Sequence, residues 1–116
     1  GDHPPVILQP ETKIRVRGKI ASSHRIWFGM TLSRQNGDFA GRFQITLPAE
    51  KFQSGEPFEV VLNLSDYELD PSLAQWSDSL PKTPYGLIVK GVWCHTLWDP
   101  AGLQVSEIEL MTPTDK

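Results

Sequence analysis

The chain has 116 residues, 39% of them hydrophobic and 22% charged, with a formal net charge of −3. That length buries one core unaided, and the mild acidity offers no basic footprint for nucleic acid. No apolar run reaches a membrane span, and a lone cysteine gives neither an internal disulfide nor a zinc-ligand pair. Ten prolines and nine glycines announce many turns and no long helix. With no signal peptide in view and a start at Gly1 rather than Met, an excised module or a processed chain is the expectation.

Residues 1–12 hold three prolines and read as a lead-in, with Val6 to Leu8 a candidate edge strand. Lys13 to Ala21 alternates, with Ile14, Val16 and Ile20 on one side and Lys13, Arg15, Arg17 and Lys19 on the other. After a polar turn at Ser22 to Arg25, Ile26 to Arg34 sets Ile26, Phe28, Met30 and Leu32 against Trp27, Gly29, Thr31 and Ser33. Asn36-Gly37-Asp38 is a hairpin signal, and Gly41 to Leu47 then sets Phe43, Ile45 and Leu47 against Arg42, Gln44 and Thr46. Pro48 to Pro57 is a longer link with Phe52 as its core anchor, and Phe58 to Leu64 turns Phe58, Val60, Leu62 and Leu64 inward. Ser65 to Gly86 has no strand pattern. A stretch that long inside a compact domain is functional or covers an edge. Within it Asp70-Pro71, a capping Asp before a proline, starts a short helical turn over Pro71 to Trp76.

The stretch Ile88 to Asp99, IVKGVWCHTLWD, concentrates the cysteine, two of four tryptophans and one of three histidines. Leu87 and Val89 share one side before Gly91, whereas Val92 and Cys94 share one after it. A bulge at the glycine reconciles the two phases and keeps all four in the core, which sends Trp93 and His95 outward. In the alternative arrangement Trp93 fills the core and Val92 faces out. A turn at Asp99 to Gly102 leads to a last strand, Leu103 to Met111, whose Leu103, Val105, Ile108 and Leu110 imply a second bulge near Ser106. Residues 112–116 read as a frayed tail. The whole chain, 1–116, reads as one domain.

Short half-buried strands at close spacing predict an all-β fold, an antiparallel sandwich. An immunoglobulin pattern wants two cysteines, so a jelly roll is the better expectation. Cys94 and His95 are adjacent on a strand and face opposite ways, so they make no nucleophile–base pair unless His3 or His24 approaches. No metal-ligand spacing stands out. Glu11, Asp99, Glu107 and Glu109 near strand ends leave room for a structural calcium. Binding has more behind it. The outward sides carry Arg15, Arg17, Trp27, Arg42, Gln44, Asn63, Trp93 and His95. Aromatic planes stack on the apolar faces of sugar rings, while Arg, Gln and His bond hydroxyls or, through the arginine fork, carboxylate and sulfate. Outward arginines also simply solubilise a face and guard sheet edges. Trp76 in the long loop and Trp98 in the LWDPAG turn are loop-borne candidates, Trp76 doubling as a plug for its helical turn.

The order VRGKI, then FEVVLNLSDY, an irregular insert and a closing LQVSEIEL resembles the jelly-roll, galactose-binding-like modules of polysaccharide-degrading enzymes, over roughly Lys13 to Leu110. The resemblance implies non-catalytic glycan binding through aromatics, in a secreted protein alongside a catalytic domain, often with a structural calcium. Glu107 would correspond to the carboxylate that serves such an ion, although the family more often has Asp there. Taken together, the expectation is a carbohydrate-binding module for a plant or algal polysaccharide, with no enzymatic activity and no resident cofactor. Its rival is a structural module that packs the same aromatics against a neighbouring domain or partner.

Overall fold

The computed structural model describes residues 5–112; His3 and the tail from residue 113 onward lie outside them. Seven strands form two antiparallel sheets: β1 (Lys13–Ile20), β2 (Ile26–Ser33), β3 (Phe39–Leu47), β4 (Pro57–Asn63), β5 (Glu68–Leu69), β6 (Ile88–His95) and β7 (Leu103–Met111). One sheet runs β4-β1-β7 and the other β5-β3-β2-β6. The alternation of each strand dictates the packing. Ile14, Val16 and Ile20 from the first sheet meet Phe28, Met30 and Phe43 from the second in one core, with Phe52 of the β3–β4 link buried among them. The fold is an antiparallel β-sandwich.

The two bulges expected from the sequence fall where the phase of the apolar residues changes, and a third, unexpected one leaves Ala40 as the extra residue in β3. Leu32 pairs with Val89 and Thr31 with Gly91, so Lys90 is the extra residue in β6. Arg17 pairs with Glu107 and Gly18 with Val105, so Ser106 is the extra residue in β7. Its hydroxyl donates to the Arg17 carbonyl at 3.1 Å. Val6 to Leu8 contributes a single bridge, Ile7 to Ile88.

One expectation is corrected. The stretch Ser65 to Gly86 does carry a strand, the two-residue β5, whose Glu68 and Leu69 pair with Gln44 and Phe43. Two residues are too few to show a period of two, so no alternation betrays them. The helical turn expected over Pro71 to Trp76 is a 3-10 segment, Pro71–Ser79. Asp70 holds its start, its carboxylate accepting the Ser72 N–H at 2.9 Å and its carbonyl accepting the Leu73 N–H at 2.9 Å. No helix among the described residues is long and apolar enough to cross a membrane.

Candidate ligand-binding site

Residues directly opposite each other on antiparallel strands point to the same side, so the register of the four-stranded sheet determines what shares its outer face. One row runs Glu68, Gln44, Gly29, Trp93 across β5, β3, β2 and β6. The next runs Thr46, Trp27, His95, and a third Arg42, Thr31, Gly91. Trp93 thus lies outward, and the arrangement that puts it in the core does not occur. Of the four residues expected in the core, Leu87, Val89 and Cys94 pack there, while Val92, beside Met30 on the edge strand β6, stays 36% exposed. Its indole lies across Gly29, where an added Cβ would come within 2.2 Å of the ring. Only glycine leaves that space free.

Three rings form a continuous row. His95 stacks on Trp93 at 5.0 Å between centroids and 7° between planes, and on Trp27 at 5.6 Å and 26°. The Arg25 guanidinium sits over Trp27, 5.5 Å from its centroid. All three rings are half-buried. The face therefore divides into an aromatic half on β2 and β6 and a polar half on β3 and β5, about 14 Å across its three inter-strand gaps.

The polar half is held in place. Arg42 donates through Nε to Asp70 at 3.2 Å and through Nη2 to the Ser72 hydroxyl at 3.3 Å, leaving further N–H groups of its five for a ligand. Burial pushes the Asp70 carboxyl up, but the Ser72 backbone N–H and hydroxyl and the Arg42 guanidinium outweigh it and hold the group below its ordinary value. Gln44 and Glu68 share the rim of a hollow of about 400 Å³ with Asp66 and Pro71.

The outward arginines of β1 lie elsewhere. Arg15 pairs with Glu109, and Arg17 with Glu59 at 2.8 Å and Glu107 at 2.9 Å, all on the outer face of the three-stranded sheet. Asn63 sits on that sheet too, opposite Lys13. Glu107 and Glu109, two of the four carboxylates weighed for calcium, are those same ion-pair partners. Trp98 is exposed on the turn after β6 and stacks on His24 at 5.3 Å. Trp76 is exposed at the opposite end of the sandwich, beside a hollow of about 380 Å³ that it shares with Phe39, Leu73 and Leu80. Of the residues expected in a site, Trp27, Trp93, His95, Arg42 and Gln44 share one face; Trp98 lies beyond the His95 end, and Arg15, Arg17 and Trp76 lie apart.

Four polar residues beside this face escape the sequence reading: Glu68, because β5 is too short to show a pattern, and His24, Arg25 and Glu50, because turns carry no facing. Cys94 packs against the core, and burial pushes its thiol up to about 11, away from the reactive range. Compared with family models, curated protein sequences and solved structures, the chain gives no match, which leaves the geometry of this face as the ground for a function.

Proposed function

We propose that the chain is a non-catalytic carbohydrate-binding module whose ligand lies on the outer face of the β5-β3-β2-β6 sheet. One observation carries the reading: Trp27, His95 and Trp93 form an unbroken ring row on a polar-facing side, with Arg42 and Gln44 on the strand alongside. Indole planes match the apolar C–H faces of a sugar ring, and the amide, guanidinium and carboxylate groups of β3 and β5 match its hydroxyls. A jelly-roll order belongs to the same proposal. The nested pairing of β1 with β7, β2 with β6 and β3 with β5 supports it, whereas the β2–β3 hairpin inside one sheet departs from it. The likeness to galactose-binding-like modules also belongs to the proposal, and with it a secreted parent that joins this module to a polysaccharide-degrading domain. The Phe39–Trp76 hollow favours a second reading, a module that packs against a neighbour, and it lies at the far end from the ring row.

Affinity electrophoresis in native gels cast with a panel of polysaccharides tests the proposal. Retardation of the wild-type chain, lost in Trp27→Ala and Trp93→Ala with far-UV circular dichroism unchanged, is the expected result. At least about tenfold weaker binding corresponds to ~1.4 kcal/mol. A chain retarded by no polysaccharide would overturn the reading in favour of a packing module.

A further inference from the structure

The ring row leads into a second concavity at its Trp27 end. There the β1–β2 turn and the turn after β3 face each other across a hollow of about 540 Å³, bordered by Ser23, His24, Arg25, Trp27, Pro48 and Glu50. That volume falls within the range of small-ligand sites. The two walls are tied together. The Ser23 hydroxyl donates to the Ala49 carbonyl at 2.8 Å, and the Ser23 N–H donates to the Ser54 hydroxyl at 2.8 Å. His24 is fixed by its stack on Trp98, and its Nδ1 lies 2.8 Å from the Arg25 carbonyl. A carbonyl only accepts, so Nδ1 carries a proton, and in the neutral form of the ring Nε2 is the acceptor.

The hollow therefore sets a donor, an acceptor and an aromatic wall around one space. Arg25 and Glu50 are exposed, and neither has an ion-pair partner among the described residues. A hydroxyl both donates and accepts, so two neighbouring hydroxyls on a ring are matched by such a mixed set. A carboxylate or sulfate only accepts. It would gain from Arg25 and meet the charge of Glu50. The other arginines weighed for an anionic ligand already have a carboxylate opposing their charge, Arg15 with Glu109, Arg17 with Glu59 and Glu107, and Arg42 with Asp70. The N–H groups that Arg42 keeps free therefore suit a hydroxyl better than an anion.

Resting on the carbohydrate reading above, we propose that this hollow is a subsite for vicinal hydroxyls of an uncharged sugar residue, and that the glycan taken by the module is neutral. Arg25, swinging off the Trp27 ring over which it sits, donates to one hydroxyl, Glu50 and the neutral form of His24 at Nε2 accept from the pair, and the indole face thus uncovered takes the apolar side of the ring.

The test is calorimetric titration of the wild-type chain, Glu50→Ala, Arg25→Gln and Glu50→Gln with neutral, uronate-bearing and sulfated oligosaccharides at low and high salt. The wild type is expected to bind neutral oligosaccharides with little salt dependence. Glu50→Ala and Arg25→Gln should each bind about tenfold more weakly. Glu50→Gln removes the charge and keeps an acceptor, so it should retain neutral binding and admit the uronate-bearing ligand. Binding by the wild type to charged glycans alone overturns the proposal. So does wild-type affinity in Glu50→Ala and Arg25→Gln when Trp93→Ala has lost it; in that case the sheet-face reading survives without the subsite. A wild-type chain that binds no glycan removes both.

Discussion

A side chain at position 29 would occupy the space that the Trp93 indole fills, its Cβ 2.2 Å from the ring. The ring atoms it meets are at the far end of the Trp93 side chain, so the relief is a swing of the indole off the face and not a shift of the backbone. Gly29→Ala is expected to cost about 1–3 kcal/mol, the usual range for overpacking, and to leave the sandwich folded. It should nonetheless break the Trp93–His95 stack. The readout is the near-UV circular dichroism of the tryptophans together with glycan retardation, both changed, while the far-UV spectrum stays constant. Retained near-UV bands and retained retardation would mean that the ring row does not depend on Gly29.

Strands β1 and β6 show how much of this molecule is legible in a one-dimensional pattern. The change of phase at Gly91 offers the outward facing of Trp93 and His95 as one of two arrangements, and the extra residue at Lys90 selects it by keeping Val89 and Cys94 on one side. The bulge at Ser106 follows from a change of phase in the same way. What a period of two does not encode is which sheet a strand joins. Arg15 and Arg17 alternate as cleanly as Trp27 does, yet β1 lies between β4 and β7, and its arginines meet glutamates 42 to 94 residues away in sequence. Turn residues carry no facing at all, and so Arg25 and Glu50 become visible only when two distant turns close on one hollow. The partition makes a prediction at the level of these elements. Arg17→Gln should leave glycan retardation untouched and shift the melting temperature only slightly, since its ion pairs with Glu59 and Glu107 are exposed and exposed pairs contribute little. Arg42→Gln, on the other sheet, should weaken retardation. Equal effects of the two substitutions on binding would place the ligand across both faces.

Three buried or tethered groups couple the stability of the sandwich to pH. Asp70 anchors the 3-10 segment to β3 through Arg42 and Ser72, and its folded carboxyl is held below the ordinary value of about 3.9. A depressed acid contributes stability that is present above its unfolded value and lost as pH falls through the folded one, so the acid limb of the stability curve carries Asp70. On the alkaline side, burial raises the Cys94 thiol to about 11, and burial, reinforced by Cys94, raises the Tyr67 hydroxyl still further. The unfolded chain releases these protons near about 8.5 and 10 while the folded chain keeps them. It then binds fewer protons than the native state, and stability falls as pH climbs. Thermal unfolding from acid to alkali should trace a plateau through neutrality with a decline at each end. Asp70→Asn is expected to lower the plateau and flatten the acid decline. Tyr67→Phe and Cys94→Ala should each flatten the alkaline decline, whatever they do to the plateau itself. An alkaline limb of the same slope in both variants would assign that loss to groups other than the Tyr67–Cys94 pair. The Trp27–His95–Trp93 face lies on the side of the sheet opposite this pair, so glycan binding should hold into mild alkali and fail only where the core itself gives way.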